Sequence, residues 1–317
     1  MSKNFKIFLV IVLLSLPFWW VVNVLEKNLE DFFYSWEMEK NPPSIFIAQI
    51  AQNYIVKARV TVVKSEIPED FEITAESAIS VEIDQEGRER VLFSKEEIKK
   101  MPLASISKLM TALIASEFYY PSLKVQISKA AVGQEEEYGR LKVGEILQVQ
   151  DLLRVMLIES SNDAAFALGE VIGIEGFLDL MNLKARDMGL QNSKFFNLTG
   201  LDPEDPNQPV NYSTARDLVE LAKYLLSERP EILEILSKKE YNLYLENGVP
   251  HHTLQNTNEL LGEIPGIVGG KTGFTERAGG CLLLIMEGSW PGNYLINVIL
   301  NSSGRFEEMR KLIEFTR

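Results

Sequence analysis

The chain has 317 residues, of which 45 are acidic, 32 basic, two histidine and one cysteine. The net charge of −13 argues against binding to nucleic acid, which requires clustered Lys and Arg side chains. Because Cys281 is alone and His251 and His252 are the only histidines, an intramolecular disulfide, a thiolate zinc site and a three-histidine metal site are all excluded. Any chemistry must therefore use Ser, Lys, Asp, Glu, Tyr or Asn.

Residues 5–25 form an almost continuous apolar run, which at about 1.5 Å per residue can cross a bilayer core of about 30 Å. Lys3 and Lys6 lie at its start and acidic residues follow it, so the positive-inside rule places the N-terminus in the cytoplasm. A cleaved signal peptide is the alternative, but no small-x-small cleavage site follows the run. We therefore predict an N-terminal transmembrane anchor, or an uncleaved signal, over residues 1–25.

Residues 26–71 are predicted to be a spacer. Pro42 and Pro43 break any helix that leaves the membrane, and Pro68 marks a second boundary. The apolar stretch between these prolines carries too many polar residues for a second membrane span.

The pattern changes after residue 71. A β-hairpin is predicted from alternation on either side of Gly87, and apolar stripes around residues 109–118, 152–157 and 218–225 predict helices. Further strands are predicted at 241–245, 266–271, 281–286 and 294–300, with a closing helix from about residue 305. This order predicts an α/β (α+β) fold for 72–317, in which an antiparallel sheet forms from both ends of the domain and a helical lobe is inserted.

Ser105 and Lys108 form an S-x-x-K motif at the point where the first helical stripe begins. Residues three apart share a helix face, so the Lys108 amine can reach the Ser105 hydroxyl and act as its base. To be neutral near pH 7.4 a lysine needs its pKa lowered by about 3 units, which burial or a second cation can achieve. The motif therefore predicts a second buried cation nearby. Taken alone, it also fits an ordinary helix start with a solvated lysine.

Two further motifs follow. Ser160 and Asn162 belong to an S-x-N between two predicted helices, where the hydroxyl can relay a proton and the amide can hold a peptide carbonyl. Lys271, Thr272 and Gly273 form a K-T-G at the end of a predicted strand, where the lysine can be the second cation and attract a carboxylate. Helix capping and a glycine-rich turn are the alternatives when each motif is taken singly.

The order S-x-x-K, S-x-N, K-T-G is found in penicillin-binding proteins and class A β-lactamases. Residues 72–317 resemble the D-alanyl-D-alanine carboxypeptidases, which are low-molecular-mass penicillin-binding proteins. The resemblance rests on the segments 104–111, 158–165, 196–202, 212–217, 256–260 and 270–280. It implies a β-lactamase/transpeptidase-like fold and a catalytic domain over 72–317 that needs no metal or organic cofactor.

By this resemblance Ser105 attacks the bond between the last two D-alanines of a peptidoglycan stem peptide, and Lys108 takes its proton. Ser160 assists proton transfer to the leaving amine, and water hydrolyses the acyl-enzyme. The resemblance assigns substrate binding to Asn162, Lys271, Thr272, Gly273 and Phe274, with the N–H groups of Ser105 and Phe274 forming the oxyanion hole.

The implied partners are the stem peptide, β-lactam antibiotics as covalent inhibitors, and a membrane through the N-terminal anchor. The implied location is the bacterial cell membrane, with a single span and an extracytoplasmic catalytic domain. Some members of the family carry a carboxylate-binding arginine where this chain has Thr257.

Other functions remain open. A D-alanyl endopeptidase would cleave a similar bond in cross-links. A non-catalytic wall-binding scaffold is another alternative, although all three motifs are intact. A β-lactamase is disfavoured because residues 204–207 do not resemble its glutamate-bearing loop. A Ser-His-Asp hydrolase is disfavoured because His251 and His252 are expected in a turn-like segment after Pro250.

Overall fold

The computed structural model describes residues 60–62, 71–134 and 139–317, all of which belong to one unit of the chain, Tyr54–Arg317. The predicted anchor, over residues 1–25, and most of the predicted spacer lie outside the described residues. None of the helices in the described part is long and apolar enough to cross a bilayer.

The described part of the chain begins with strands, continues with mostly helical elements, and ends with five strands and a helix. The strands are β1 Val60–Val62, β2 Ser77–Ile83, β3 Glu89–Lys95, β4 Met101–Pro102, β5 Lys124–Gln126, β6 Ile146–Gln148, β7 Tyr212–Ser213, β8 Glu240–Tyr244, β9 Pro250–Gln255, β10 Ile267–Thr275, β11 Gly279–Glu287 and β12 Tyr294–Ser302. The helices are α1 Lys108–Phe118, α2 Val149–Ile158, α3 Asn162–Glu170, α4 Ile174–Asp187, α5 Ala215–Glu228, α6 Pro230–Leu236 and α7 Arg305–Thr316.

Six strands form the main sheet, in the order β1-β3-β2-β12-β11-β10. They come from the two ends of the described chain, and the helical lobe lies between them in sequence, as predicted. Neighbouring strands are antiparallel except β1, which pairs with β3 in parallel. The antiparallel sheet predicted from both ends of the domain is therefore present, and β1, which comes from residues predicted to be spacer, adds a parallel strand at its edge.

The central strand β2 is buried at every position, because helices cover both faces of the sheet. On one face, α7 packs over an apolar cluster that includes Phe93, Leu284 and Leu312. On the other, α5 packs against β2 and β12. At the far edge of the sheet, opposite β1, β10 leaves one side of its backbone unpaired with any strand of the described sheet.

The helical lobe is built around α1, whose first eight residues are all buried. A helix that is buried all round needs neighbours on every side, and α2, α3 and α4 supply them. Ser161 starts α3 by accepting a hydrogen bond from the Ala164 N–H (3.1 Å), as the capping alternative for the S-x-N region predicted.

Two local predictions were wrong. The K-T-G lies inside β10 and not at its end, since the strand continues to Thr275. His251 and His252 lie on β9, which pairs with β8, and not in a turn-like segment.

Candidate active site

Ser105 lies in a 3₁₀ turn, Ala104–Ser107, directly before α1. Ala104 has φ of 46°, a strained value for a residue with a side chain. Two glycines allow other chain segments to press against this turn. A Cβ on Gly200 would lie 1.9 Å from the Ala104 carbonyl oxygen, and a Cβ on Gly273 would lie 3.0 Å from the Ser105 nitrogen. The backbone of the turn is therefore held by its packing.

Lys108 begins α1 and is fully buried. Its Nζ lies 2.8 Å from Ser105 Oγ, 2.6 Å from Asn162 Oδ1 and 2.8 Å from the Thr199 carbonyl oxygen. A neutral amine has two N–H groups and one lone pair. The amide and carbonyl oxygens can accept its two N–H groups, which leaves the lone pair for the proton of Ser105. The contacts of Lys108 thus suit a base.

Ser160 follows α2 with φ of 67°, again in the left-handed region. Its Oγ accepts a hydrogen bond from Lys271 Nζ at 2.9 Å. The S-x-N motif therefore contributes one side chain to each lysine: Ser160 to Lys271, and Asn162 to Lys108.

Lys271 is the second buried cation that the sequence predicted, with 1% of its surface exposed. Burial lowers the pKa of Lys271 well below its ordinary value of 10.5, and the positive charges of Lys108 and Arg305 lower it further. The structure thus adds a third cation, Arg305, whose Nη1 donates to the Gly273 carbonyl oxygen (3.1 Å). Sequence reasoning missed Arg305, because it begins α7 without any motif to mark it.

Thr272 and Phe274 lie on either side of Gly273 and differ in exposure. Thr272 is 4% exposed, and its Oγ1 shares a hydrogen bond of 2.6 Å with Oγ1 of Thr257. Phe274 is 66% exposed on the edge strand. Thr257, where some family members have arginine, therefore adds a hydroxyl beside Thr272 and no charge.

A loop over residues 196–201 supplies the carbonyl that contacts Lys108. Asn197 Oδ1 accepts from the Gly200 N–H at 2.6 Å, and Asn211 Oδ1 accepts from the Asn197 N–H at 3.0 Å. These two amides fix the loop so that Thr199 O faces the lysine. The segment 196–202 contributed to the family resemblance, but no role was predicted for these residues.

The residues after the K-T-G are hydrogen-bonded to the loop around residue 202. Asp202 accepts hydrogen bonds from Thr275 Oγ1 and from the Arg277 N–H, both at 3.0 Å. The carboxylate of Asp202 is therefore engaged in structure, and Glu204 further along the loop is exposed.

The predicted catalytic residues Ser105, Lys108 and Ser160 thus meet the predicted substrate-binding residues at one place, where α1, the start of α3 and β10 converge. A family model described as D-alanyl-D-alanine carboxypeptidase matches residues 62–304 of the chain. The chain belongs to this family.

The individual relatives include a carboxypeptidase and an endopeptidase. The chain is 36% identical to D-alanyl-D-alanine carboxypeptidase DacF of Bacillus subtilis over 218 residues, 66% of this chain and 53% of the relative. It is 34% identical to a D-alanyl-D-alanine endopeptidase of Escherichia coli over 221 residues, 67% of each protein. The match thus spans about half the length of the Bacillus subtilis relative.

A solved structure gives the same fold. Penicillin-binding protein D2 of Listeria monocytogenes, in its ampicillin-bound form, superposes with a TM-score of 0.64 at 31% identity, covering 78% of this chain and 98% of that chain. The β-lactamase/transpeptidase-like fold predicted for this member of the carboxypeptidase family is confirmed.

Proposed function

We propose that the protein is a serine-type D-alanyl-D-alanine carboxypeptidase that removes the terminal D-alanine from peptidoglycan stem peptides. The observation that carries this proposal is the contact between Lys108 Nζ and Ser105 Oγ at 2.8 Å, in a chain that belongs to this family. The serine and the buried amine are the nucleophile and the base, respectively, that acyl transfer requires when no histidine is available.

In the first step Ser105 Oγ attacks the carbonyl carbon of the D-alanyl-D-alanine bond while its proton moves to Lys108. The N–H groups of Ser105 and Phe274 stabilise the oxyanion. The close packing of Gly273 against the Ser105 nitrogen supports this assignment. The C–N bond then breaks, and the leaving amine takes a proton through Ser160.

The departing D-alanine carries a carboxylate, and Lys271 and Thr272 are the proposed groups that bind it. Thr257 adds a hydroxyl next to Thr272, in place of the bidentate charge of an arginine. Asn162 accepts a hydrogen bond from Lys108 and is also proposed to position the substrate. Water then attacks the Ser105 ester, and the stem peptide is released with its new carboxylate.

β-Lactam antibiotics are proposed to acylate the same serine. The Listeria monocytogenes relative has been solved with ampicillin and with cefotaxime bound. A β-lactam mimics the acyl donor, and its opened ring leaves an ester on Ser105 that water removes slowly.

An endopeptidase is the second candidate, because the E. coli relative carries that name. The same residues would cleave a D-alanyl bond whose leaving amine belongs to a second stem peptide. The two reactions differ only in the leaving amine and in the space that it requires.

We further propose that residues 1–25 anchor the protein in a bacterial cell membrane with the catalytic domain outside the cytoplasm. The apolar length of the segment and the lysines before it support this orientation.

The first test is acylation of the full-length protein by a fluorescent penicillin. We expect a long-lived label that Ser105→Ala abolishes and that Lys108→Gln slows by about 1,000-fold, within the range for loss of a general base. Ser116→Ala, which removes a hydroxyl further along α1, is the matched control and should label normally.

Other outcomes assign other functions. Rapid release of the label with drug turnover would indicate a β-lactamase, and a folded protein without label would indicate a scaffold. Release of free D-alanine from a pentapeptide, compared with cleavage of a cross-linked dimer, separates the carboxypeptidase from the endopeptidase.

A further inference from the structure

Arg305 lies beside the strand that carries the K-T-G. It is the first residue of α7, and its Nη1 donates to the Gly273 carbonyl oxygen at 3.1 Å. The stem of its side chain lies over β11, because a Cβ on Gly280 would come within 3.3 Å of the Arg305 Cβ. Gly280 is the β11 partner of Phe274. The guanidinium therefore approaches β10 from the side on which β11 lies.

The peptide group that Arg305 contacts also carries the Phe274 N–H. In a trans peptide the C=O and the N–H point in opposite directions, and the described residues contain no cis peptide bond. Because the Gly273 carbonyl oxygen points toward Arg305, the Phe274 N–H points to the edge of β10 that no described strand covers. The proposed function assigns this N–H to the oxyanion hole. Arg305 thus holds the opposite end of an oxyanion donor.

The neighbouring strands are shaped to bring the arginine to this position. β11 pairs Gly280 with Ser302 but Leu282 with Ile299, so β12 has one extra residue here, a β-bulge. Within the bulge Asn301 has φ of 55°, in the left-handed region. A side chain at Gly280 would lie 2.5 Å from the Ser302 carbonyl oxygen. The bulge and the glycine together let α7 begin next to Gly280, within reach of β10.

The surroundings of Arg305 do not favour its charge. A cation at the first residue of a helix is opposed by the helix dipole. Glu259 attracts the guanidinium, but no described carboxylate lies within ion-pair distance of it, and the charge of Lys271 opposes it. The Arg305 Nε is buried and has no hydrogen-bond partner among the described residues. A charge held in such a place is better explained by function than by stability.

A hydrogen bond at one end of a peptide group strengthens the bond made by its other end. The guanidinium draws electron density toward the Gly273 carbonyl oxygen, and such polarisation strengthens a neighbouring hydrogen bond by roughly 10–30%. The same contact fixes the plane of the peptide, so the Phe274 N–H is aimed before the substrate arrives. Both effects grow with the charge on the acceptor, so they stabilise the oxyanion more than the ground-state carbonyl.

We propose that Arg305 is a positioning residue for the oxyanion hole, and that it acts through the Gly273–Phe274 peptide group without touching the substrate. The inference rests on the proposed function, in which the Phe274 N–H stabilises the oxyanion formed when Ser105 attacks. The other donor of the hole, the Ser105 N–H, belongs to the turn against which Gly273 packs. A contact that fixes Gly273 therefore supports both donors.

The test is the rate of penicillin acylation of the full-length protein. Arg305→Met keeps an apolar stem and removes the donor, so we expect acylation to be about 10- to 30-fold slower, less than the 100-fold or more that follows complete loss of an oxyanion donor. Since Nη1 makes a single bond to the carbonyl, Arg305→Lys should stay within about fivefold of the wild type. Arg310→Met removes the ion pairs of another α7 arginine with Glu263 and Glu307, and this matched control should label normally.

Two further measurements separate this role from other effects of the charge. If Arg305 acted only by lowering the pKa of Lys271, the Arg305→Met rate would recover at high pH; we expect its ratio to the wild type to stay constant from about pH 7 to pH 9.5. If Arg305 bound the substrate carboxylate, the variant would lose nothing toward the methyl ester of the same penicillin; we expect the same ratio. Either contrary result would overturn the proposal, as would an Arg305→Lys protein as slow as Arg305→Met.

A second readout does not depend on activity. The chain contains two Gly–Phe pairs, Gly273–Phe274 and Gly176–Phe177, and the second lies within α4. Labelling glycine carbonyls with ¹³C and phenylalanine nitrogens with ¹⁵N therefore gives two correlated NMR signals in the full-length protein. We expect Arg305→Met to move the Gly273 carbonyl signal upfield, because the carbonyl loses a charged donor, and to leave the Gly176 signal in place.

The two readouts also separate the inference from the proposed function. A wild-type protein that penicillin never labels would mean that the proposed function has failed. A labelled wild type whose Gly273 signal does not move in Arg305→Met would mean that only the role of Arg305 has failed.

Discussion

The side of the sheet under α7 and the active site beside β10 both bury charge, but in different ways. Under α7 the buried carboxylate of Glu308 accepts hydrogen bonds from Thr74, Ala75 and Ser302 beside an apolar cluster. At the active site Lys271 is buried beside Lys108 and Arg305, with no carboxylate among the groups that shift its pKa. The polar contacts under α7 stabilise the fold, whereas the buried lysines of the active site are unfavourable for stability and are present because the chemistry requires them.

The largest effect is expected from Gly200→Ala. The new Cβ would meet the Ala104 carbonyl oxygen and would also sit at φ of 87°, so the turn that holds Ser105 must move. We expect acylation to fall by about 100-fold, since catalytic geometry tolerates little displacement. Stability should fall by about 3 kcal/mol from strain and overpacking, measured by urea unfolding.

Gly144→Ala is the matched control, because it has a similar φ of 83° and open space around it. It carries the conformational cost of about 1 kcal/mol without the clash. If both variants lose the same stability and both label normally, the packing of Gly200 against the turn does not position Ser105.

A smaller effect is expected from Glu308→Gln. Burial alone would raise the pKa of Glu308, but the hydrogen bonds from Ser302, Thr74 and Ala75 outweigh it and hold the pKa below its ordinary value of 4.5. Replacing the carboxylate leaves its donors poorly satisfied, so we expect a loss of about 2 kcal/mol at pH 7.

The pH dependence follows from the direction of that shift. A carboxyl group with a lowered folded-state pKa stabilises the protein above its unfolded value and loses that contribution as the pH falls through the folded value. The difference in unfolding free energy between wild type and Glu308→Gln, measured by urea titration, should therefore disappear below about pH 4. Glu307→Gln, on the exposed side of the same helix, should change stability by less than about 0.5 kcal/mol. A gap that persists unchanged at low pH would show that the charge of Glu308 is not what stabilises this region.

The smallest expected effect is a gain in stability. Lys271→Met replaces a buried amine among cations with an apolar side chain of similar size, so we expect stability to rise by about 1–2 kcal/mol while labelling is lost. Because burial lowers the folded-state pKa of Lys271, the resulting loss of stability is largest below that pKa and shrinks as the pH rises toward the ordinary value of 10.5. The gain measured by thermal unfolding should shrink toward pH 10.

Lys238→Met, at an exposed lysine with only a long contact to Glu234, is the control and should stay within about 0.5 kcal/mol of the wild type. A Lys271→Met protein less stable than the wild type would mean that the active site is not the less stable of the two regions.

Local patterns in the sequence predicted much of the fold. Alternation and helical stripes indicated the hairpin β2–β3, the late strands and the helices α1, α2, α5 and α7, because these elements bury a regular face. Strand β1 was missed because three residues are too few to show a period. The β-bulge at His251 was missed because it depends on how two strands pair and not on their composition.

The sequence by itself determined that Ser105 and Lys108 would meet, because residues three apart on a helical turn are neighbours in any fold. It also limited the types of chemistry, since one cysteine and two histidines leave Ser, Lys, Asp, Glu, Tyr and Asn as the candidate reactive side chains. Only the tertiary structure decided which groups meet that pair. Asn162 lies 54 residues from Lys108, and Ser160 lies 111 residues from Lys271. Contacts over such separations depend on how the helical lobe packs against β10, which no local pattern encodes.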